Sequence, residues 1–171
     1  MILLVHMLFG AAIGSVIHNA FLAIILALLG HYFLDLFPHI EYSIDNIREK
    51  NWRKSLPDIL KVFLDFCLAI IIILLFSKNQ LIIYICVFVS LVPDGLTIIS
   101  SLLSNKFLLL HDKIHIQKVH FLRYKKTRAL NELSARPSTK NILFSALVSI
   151  PFRILTQAIA IFISIVLISY Q

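Results

Sequence analysis

Residues 30–42 read GHYFLDLFPHIEY and set two histidines, an aspartate and a glutamate within and just beyond a strongly apolar run. His31 and Asp35 are four apart, so a helix carries them on one face, one turn from each other. Pro38 ends such a helix, and His39 and Glu41 follow where the chain turns away. Ionisable groups cost kilocalories in hydrocarbon, so each needs a partner or a task. Imidazole and carboxylate together suit zinc, with manganese or iron(II) as alternatives. His-x3-Asp offers one ion two ligands, and a bound ion turns water into hydroxide at neutral pH. The plainer reading of a single pair is a hydrogen-bonded His–Asp lock between two helices.

Further residues strengthen the metal reading. His6 begins an i, i+4, i+8 stripe with Gly10 and Gly14, and such a GxxxG face lets a second helix approach closely. Ala23, Ala27, His31 and Asp35 make a similar stripe, and Ser90, Asp94, Thr97 and Ser101 a polar one. Small-residue and polar stripes pack inward, which turns the ionisable groups into the bundle and away from lipid. Counted from the turns at His18-Asn19 and Ser77-Lys78-Asn79, His6 and His31 lie roughly 18 Å along their helices, Asp94 roughly 22 Å and Asp35 roughly 24 Å. Three segments thus bring these groups to a similar depth, and His18, at the opposite end, is left out.

Two further places could take part. In His111-Asp112-x2-His115 the two histidines share a helical face and could complete a second metal site. The same segment also reads as an interfacial amphipathic helix with histidines at headgroup level; His120 fits that face poorly and reads as exposed. Arg153, twelve residues into the last apolar run, could bind a phosphate or a developing anion, or pair with Asp65 or Asp94. Lys61 and Asp65 read as a structural i, i+4 pair.

The elements that must position these residues follow from composition. The chain has 171 residues, 59% of them hydrophobic, with a mean hydropathy of +0.90. This is the profile of a polytopic membrane protein. Thirteen phenylalanines and few Gly or Pro favour lipid-facing helices over the alternating segments of a β-barrel. The expected fold is all-α: a single membrane domain, 1–171, with about five spans at 2–17, 20–37, 56–76, 80–103 and 141–169. The first two are short, so that hairpin either crosses fully or is re-entrant. No cleavable signal peptide is evident. Cys67 and Cys86 fall in apolar runs and read as buried thiols.

The net charge of +7 is concentrated in the loop 104–140, where nine Lys/Arg face only Asp112 and Glu132. A basic block beside a span reads as a cytoplasmic loop with an amphipathic helix near anionic lipid headgroups, and not as a nucleic-acid surface. Segment 38–55, also basic, falls on the same side. The expected topology therefore has the N-terminus inside and the C-terminus outside.

VHMLFGAAIG, GHYFLDLFPHIEY and LVPDG together resemble the bacterial membrane-bound metal-dependent hydrolases, a family that includes the LexA-regulated inner-membrane hydrolase. Similar members carry a His near the start, an H-x3-D-x2-PH-x-[DE]-Y segment and a PD motif in a later helix. The match falls on His6, on His31, Asp35, His39 and Glu41, and on Asp94. It implies a multi-pass protein of the bacterial inner membrane with hydrolase activity. The His-x3-Asp-x2-Pro-His spacing is also similar to the zinc-binding helix of phospholipase C and P1 nuclease-type enzymes, whose other ligands and soluble fold are absent. The HRG-x-THS motif of the LexA-regulated branch is missing, and His111-Asp112-x2-His115 is the segment available in its place.

The leading expectation is a hydrolase with a divalent-metal site at the cytoplasmic side. His6, His31, Asp35 and Asp94 are ligands, with His111 and His115 as further candidates. His39 or Glu41 acts as a ligand or general base, and Arg153 assists. The basic loop would draw a phosphoester or lipid-linked substrate. A transporter for metal ions or protons is the alternative, as is a non-catalytic protein whose polar groups only join helices. Transport asks for polar groups continuing to the outer face, where the spans are nearly all Ile, Leu and Ala.

Overall fold

The computed structural model describes residues 2–37, 39, 45–48, 51–78, 80–103, 106–114 and 139–170. Among these every regular element is helical. In chain order they are α1 (Leu3–Val16), α2 (Ala20–Asp35), α3 (Asp45–Arg48), a 3-10 turn (Trp52–Lys54), α4 (Leu56–Phe76), α5 (Leu81–Leu102), α6 (Lys106–Ile114) and α7 (Thr139–Ser169). The apolar helices begin and end within two residues of the expected spans.

Among the described residues three stretches are long and apolar enough to cross a membrane: Leu56–Phe76, Leu81–Ser100 and Ile150–Ser169. α1 and α2, at 14 and 16 residues, span only about 21 and 24 Å, against roughly 30 Å of bilayer hydrocarbon. The outer surface carries large apolar side chains, among them Phe21, Phe63, Leu75, Phe88 and Phe162. Water would penalise so much exposed apolar area, whereas lipid does not.

α1 is the hub. It packs against α2, α4, α5 and α7, and five consecutive residues, Leu4 to Leu8, are buried. A helix buried on every side can be apolar all round, and its shortness costs nothing where neighbours replace lipid. Its closest partner is α5. A Cβ on Gly10 would meet the Cys86 carbonyl oxygen and Ser90 Oγ at 2.7 Å, and one on Gly14 would meet Ile83 Cα at 2.8 Å. The two glycines thus let the α5 backbone lie against the face of α1 that carries His6.

The helix ends are held by side chains. Asn19 Oδ1 accepts the Leu22 N–H at 3.0 Å, the N-cap its position predicts. Ile2, at the N-cap of α1, has no capping side chain. Asp65 of α4 reaches across instead, and its Oδ2 accepts the Leu4 N–H at 2.9 Å. An anion at this end also meets the positive pole of the helix. The expected Lys61–Asp65 pair is therefore replaced: Lys61 lies 3.7 Å from Asp58, because Asp65 points to the α1 terminus. Asp58 also accepts from Asn46 Nδ2 at 3.0 Å, which ties α3 to the start of α4. Cys67 and Cys86 are free thiols, only Cys86 fully buried.

Candidate metal centre

The bundle brings His6, His31, Asp35, His39 and Asp94 together where α1, α2 and α5 meet. His6 and His31 are wholly buried, and their rings stack with centroids 4.1 Å apart. Asp35 lies between them, with Oδ1 3.3 Å from His6 Nε2 and Oδ2 3.2 Å from His31 Nε2. Asp94 approaches from α5, with Oδ1 3.7 Å from His31 Nε2 and Oδ2 4.0 Å from His6 Nε2. His39 Nε2 is 3.9 Å from Asp35 Oδ1. Only Asp94 is partly open, its side chain 27% exposed.

The local chain explains these positions. Helix α2 runs through Asp35, so His31 and Asp35 keep the one-turn spacing read from the sequence. Pro93 can give no N–H to Val89, and its ring crowds the carbonyls of the preceding turn. In that turn the Ser90 carbonyl accepts Nδ1–H of His31 at 2.7 Å. The Ser90 hydroxyl reaches the His6 carbonyl at 3.0 Å and that of Val87 at 2.7 Å. Ser90 thus ties α1, α2 and α5 at the site. The sequence marks it only as one member of a polar stripe, one turn before Asp94.

These bonds decide tautomers. A carbonyl can only accept, so His31 carries its proton on Nδ1, and so does His39, whose Nδ1–H donates to the Phe37 carbonyl at 2.7 Å. In the neutral rings the bare Nε2 lone pairs then face carboxylate oxygens. Lone pair against lone pair at 3.2 Å is repulsive, so the arrangement asks for positive charge between these atoms. A proton on each ring would supply it, and so would one shared cation. Backbone-fixed Nδ1–H with Nε2 turned inward is the outer-shell pattern of metal-binding histidines. His6 adds an orphan: among the described residues its buried Nδ1 has no hydrogen-bond partner, while its Nε2 faces Asp35 Oδ1 at 3.3 Å. Such a group calls for an ion or a water.

His6, His31 and Asp94 form a group that could hold a metal ion, their ligand atoms all within 4.8 Å of one another. Two ligands on one ion at about 2.1 Å lie roughly 3.4 Å apart in a tetrahedron and about 4.2 Å apart when opposed. The imidazole–carboxylate separations of 3.2 to 4.0 Å fall near that range. Asp35 is as close to both rings as Asp94 is, which gives the group a fourth donor or a carboxylate that orients the imidazoles.

The remaining expected residues fall elsewhere. His111, on α6, is hydrogen-bonded through Nε2 to the Tyr32 hydroxyl at 3.3 Å, and the Tyr32 ring stands edge-on to His31 at 5.5 Å. Tyr32 therefore separates His111 from the three-residue group, a role its position beside His31 hints at. Arg153 is half-buried on α7 and pairs with neither Asp65 nor Asp94 among the described residues. Glu41 and His115 lie outside the described residues. His18 is exposed in the α1–α2 turn.

The fold and site together define an all-helical chain with membrane-compatible helices around a buried His/Asp group. No protein-family model matches the chain, and neither curated proteins nor solved structures yield a match.

Proposed function

We propose that this chain is an integral membrane, metal-dependent hydrolase whose divalent ion, zinc in the first instance, is held by His6, His31 and Asp94 with Asp35. The observation that carries the reading is the inward Nε2 of His31, fixed by the Ser90 carbonyl and facing Asp35 at 3.2 Å. Two carboxylates against neutral imidazoles leave a charge deficit that one divalent ion makes good. Such an ion would supply an acidic bound water and polarise a phosphoryl or carbonyl oxygen. His39, buried at the end of α2 beside Asp35, is placed to take a proton or add a ligand. Glu41 two residues on is the alternative base.

The membrane reading counts five helices in the bundle, with α1 and α2 as a short hairpin whose inner member is sheathed by the others. The site lies at the end of the bundle where α2 leaves and α5 ends. In chain order the basic stretch 48–54 follows α2 and the basic stretch 104–140 follows α5, and the positive-inside rule supports reading that end as cytoplasmic. The basic segment suits anionic headgroups and a phosphoester or lipid-linked substrate. Beyond the site α1 and α2 bury Ala11, Ala12, Ala23 and Ala27, a mostly apolar lining that favours hydrolysis over transport. The family resemblance points the same way.

The test is metal analysis of detergent-purified protein, wild type against the His31→Ala, Asp35→Ala double variant. One bound divalent ion per chain, lost in the variant, is expected, together with metal-dependent cleavage of p-nitrophenyl phosphoesters or phospholipid. Wild-type protein free of stoichiometric metal would sink the proposal. Metal binding with ion flux in liposomes and no cleavage would favour the transport alternative.

A further inference from the structure

Beside the metal group runs an apolar cavity of about 270 Å³ between α1, α2 and α7. Its walls include Phe9, Phe33, Leu34, Phe37, Thr156 and Ala160. We infer that this groove seats one acyl chain of an anionic membrane lipid and that Arg153 receives the headgroup. As a statement about substrate, it rests on the hydrolase reading above.

Four observations converge. The walls adjoin the site: Phe9 is three residues past His6, Leu34 precedes Asp35, and Phe33 and Phe37 flank it with rings 5.1 Å apart. Phe33, Phe37 and Ile163 are also exposed on the outer surface, so the groove opens sideways into lipid. Its volume falls just under the roughly 300–1,000 Å³ of pockets for drug-sized ligands, which suits a slender chain segment. The α7 wall is a stripe at Thr156, Ile159, Ala160 and Ile163, and Arg153 continues that stripe by one turn toward the basic end. The Thr156 hydroxyl is turned back onto the Arg153 carbonyl at 3.0 Å, so the wall is left apolar. Arg153 is half-buried and has no carboxylate partner among the described residues. A guanidinium so placed matches a phosphate bidentately. An acyl chain is therefore the occupant that fits both the apolar wall and the cation at its end.

The test uses full-length protein in nanodiscs with phosphatidic acid or phosphatidylcholine carrying a diazirine in one acyl chain, and mass-spectrometric mapping of the labelled peptides. We expect labelling of the Phe33–Phe37 and Thr156–Ile163 segments above that of lipid-facing α4, with phosphatidic acid preferred. Ala160→Trp fills the groove and should lower groove labelling about tenfold; Ile159→Trp serves as a second filling variant. Arg153→Gln should abolish the preference for phosphatidic acid. Even labelling over α4 and the groove in the wild type overturns the proposal, as does equal labelling by both lipids. Cross-linking of the groove to a second copy of the chain overturns it as well. Metal content is read on the same samples. Groove labelling without metal would sink the hydrolase reading alone, and metal without groove labelling would sink the lipid seat alone.

Discussion

Gly10→Ala probes the link between helix packing and the metal group. The new Cβ would stand 2.7 Å from the Cys86 carbonyl oxygen, a backbone atom that cannot swing aside. Ordinary contact begins at 3.4 Å, so α1 and α5 must part by about 0.7 Å. His6 is one turn from Gly10, and Asp94 one turn from Ser90, so the parting reaches the site almost undiminished. The His6–Asp94 separation of 4.0 Å would grow to about 4.7 Å, past the roughly 4.2 Å that two donors on one ion allow. The metal-free protein can relax by letting the helices part, whereas the loaded protein must hold them together. The overpacking strain, about 1–3 kcal/mol, should therefore appear as a loss of metal affinity of roughly 5- to 150-fold. Gly95→Ala is the control: it adjoins Asp94, but its Cβ would meet nothing within 4 Å. The assay is competition for zinc against a chromogenic chelator in detergent, with far-ultraviolet circular dichroism to check helix content. If Gly10→Ala bound zinc within about twofold of wild type, His6 and Asp94 would not share an ion.

Asp65→Ala removes the cap on α1 and should cost about 1–2 kcal/mol in detergent unfolding, while Asp65→Asn, which keeps an acceptor, should cost less. His111→Ala should leave metal stoichiometry unchanged, since Tyr32 stands between it and the group; lost metal would place His111 among the ligands. Metal occupancy should fall as pH drops, because imidazole nitrogen must be free of its proton to ligate. Occupancy measured after equilibration between neutral and mildly acidic buffers checks this, and a flat profile would argue for carboxylate ligands alone.

Much of this arrangement is legible in residue spacing. His31 and Asp35 needed only the helical repeat, and the GxxxG of α1 announced a close neighbour on the His6 face. Depth along its helix brings Asp94 level with His6 and His31. What spacing could not give were bonds made by backbone atoms and across long sequence distances. The Ser90 carbonyl that fixes His31 leaves no mark on residue type, and the lysine one turn from Asp65 loses to a bare helix terminus 61 residues away. His111 shares residue type with the candidate ligands but is kept apart by Tyr32, a matter of packing that periodicity does not carry.

The enclosure of α1 has a consequence for biogenesis. α1 leaves the ribosome before every helix that sheathes it, and α7 follows more than a hundred residues later. At about 5–20 residues per second this is a wait on the order of ten seconds. During that interval a short helix bearing His6 has no complete sheath, and the Asp65 anchor and the Ser90 tie arrive only as α4 and α5 are made. The His/Asp group is thus complete only once α5, the third helix to supply one of its residues, has been made.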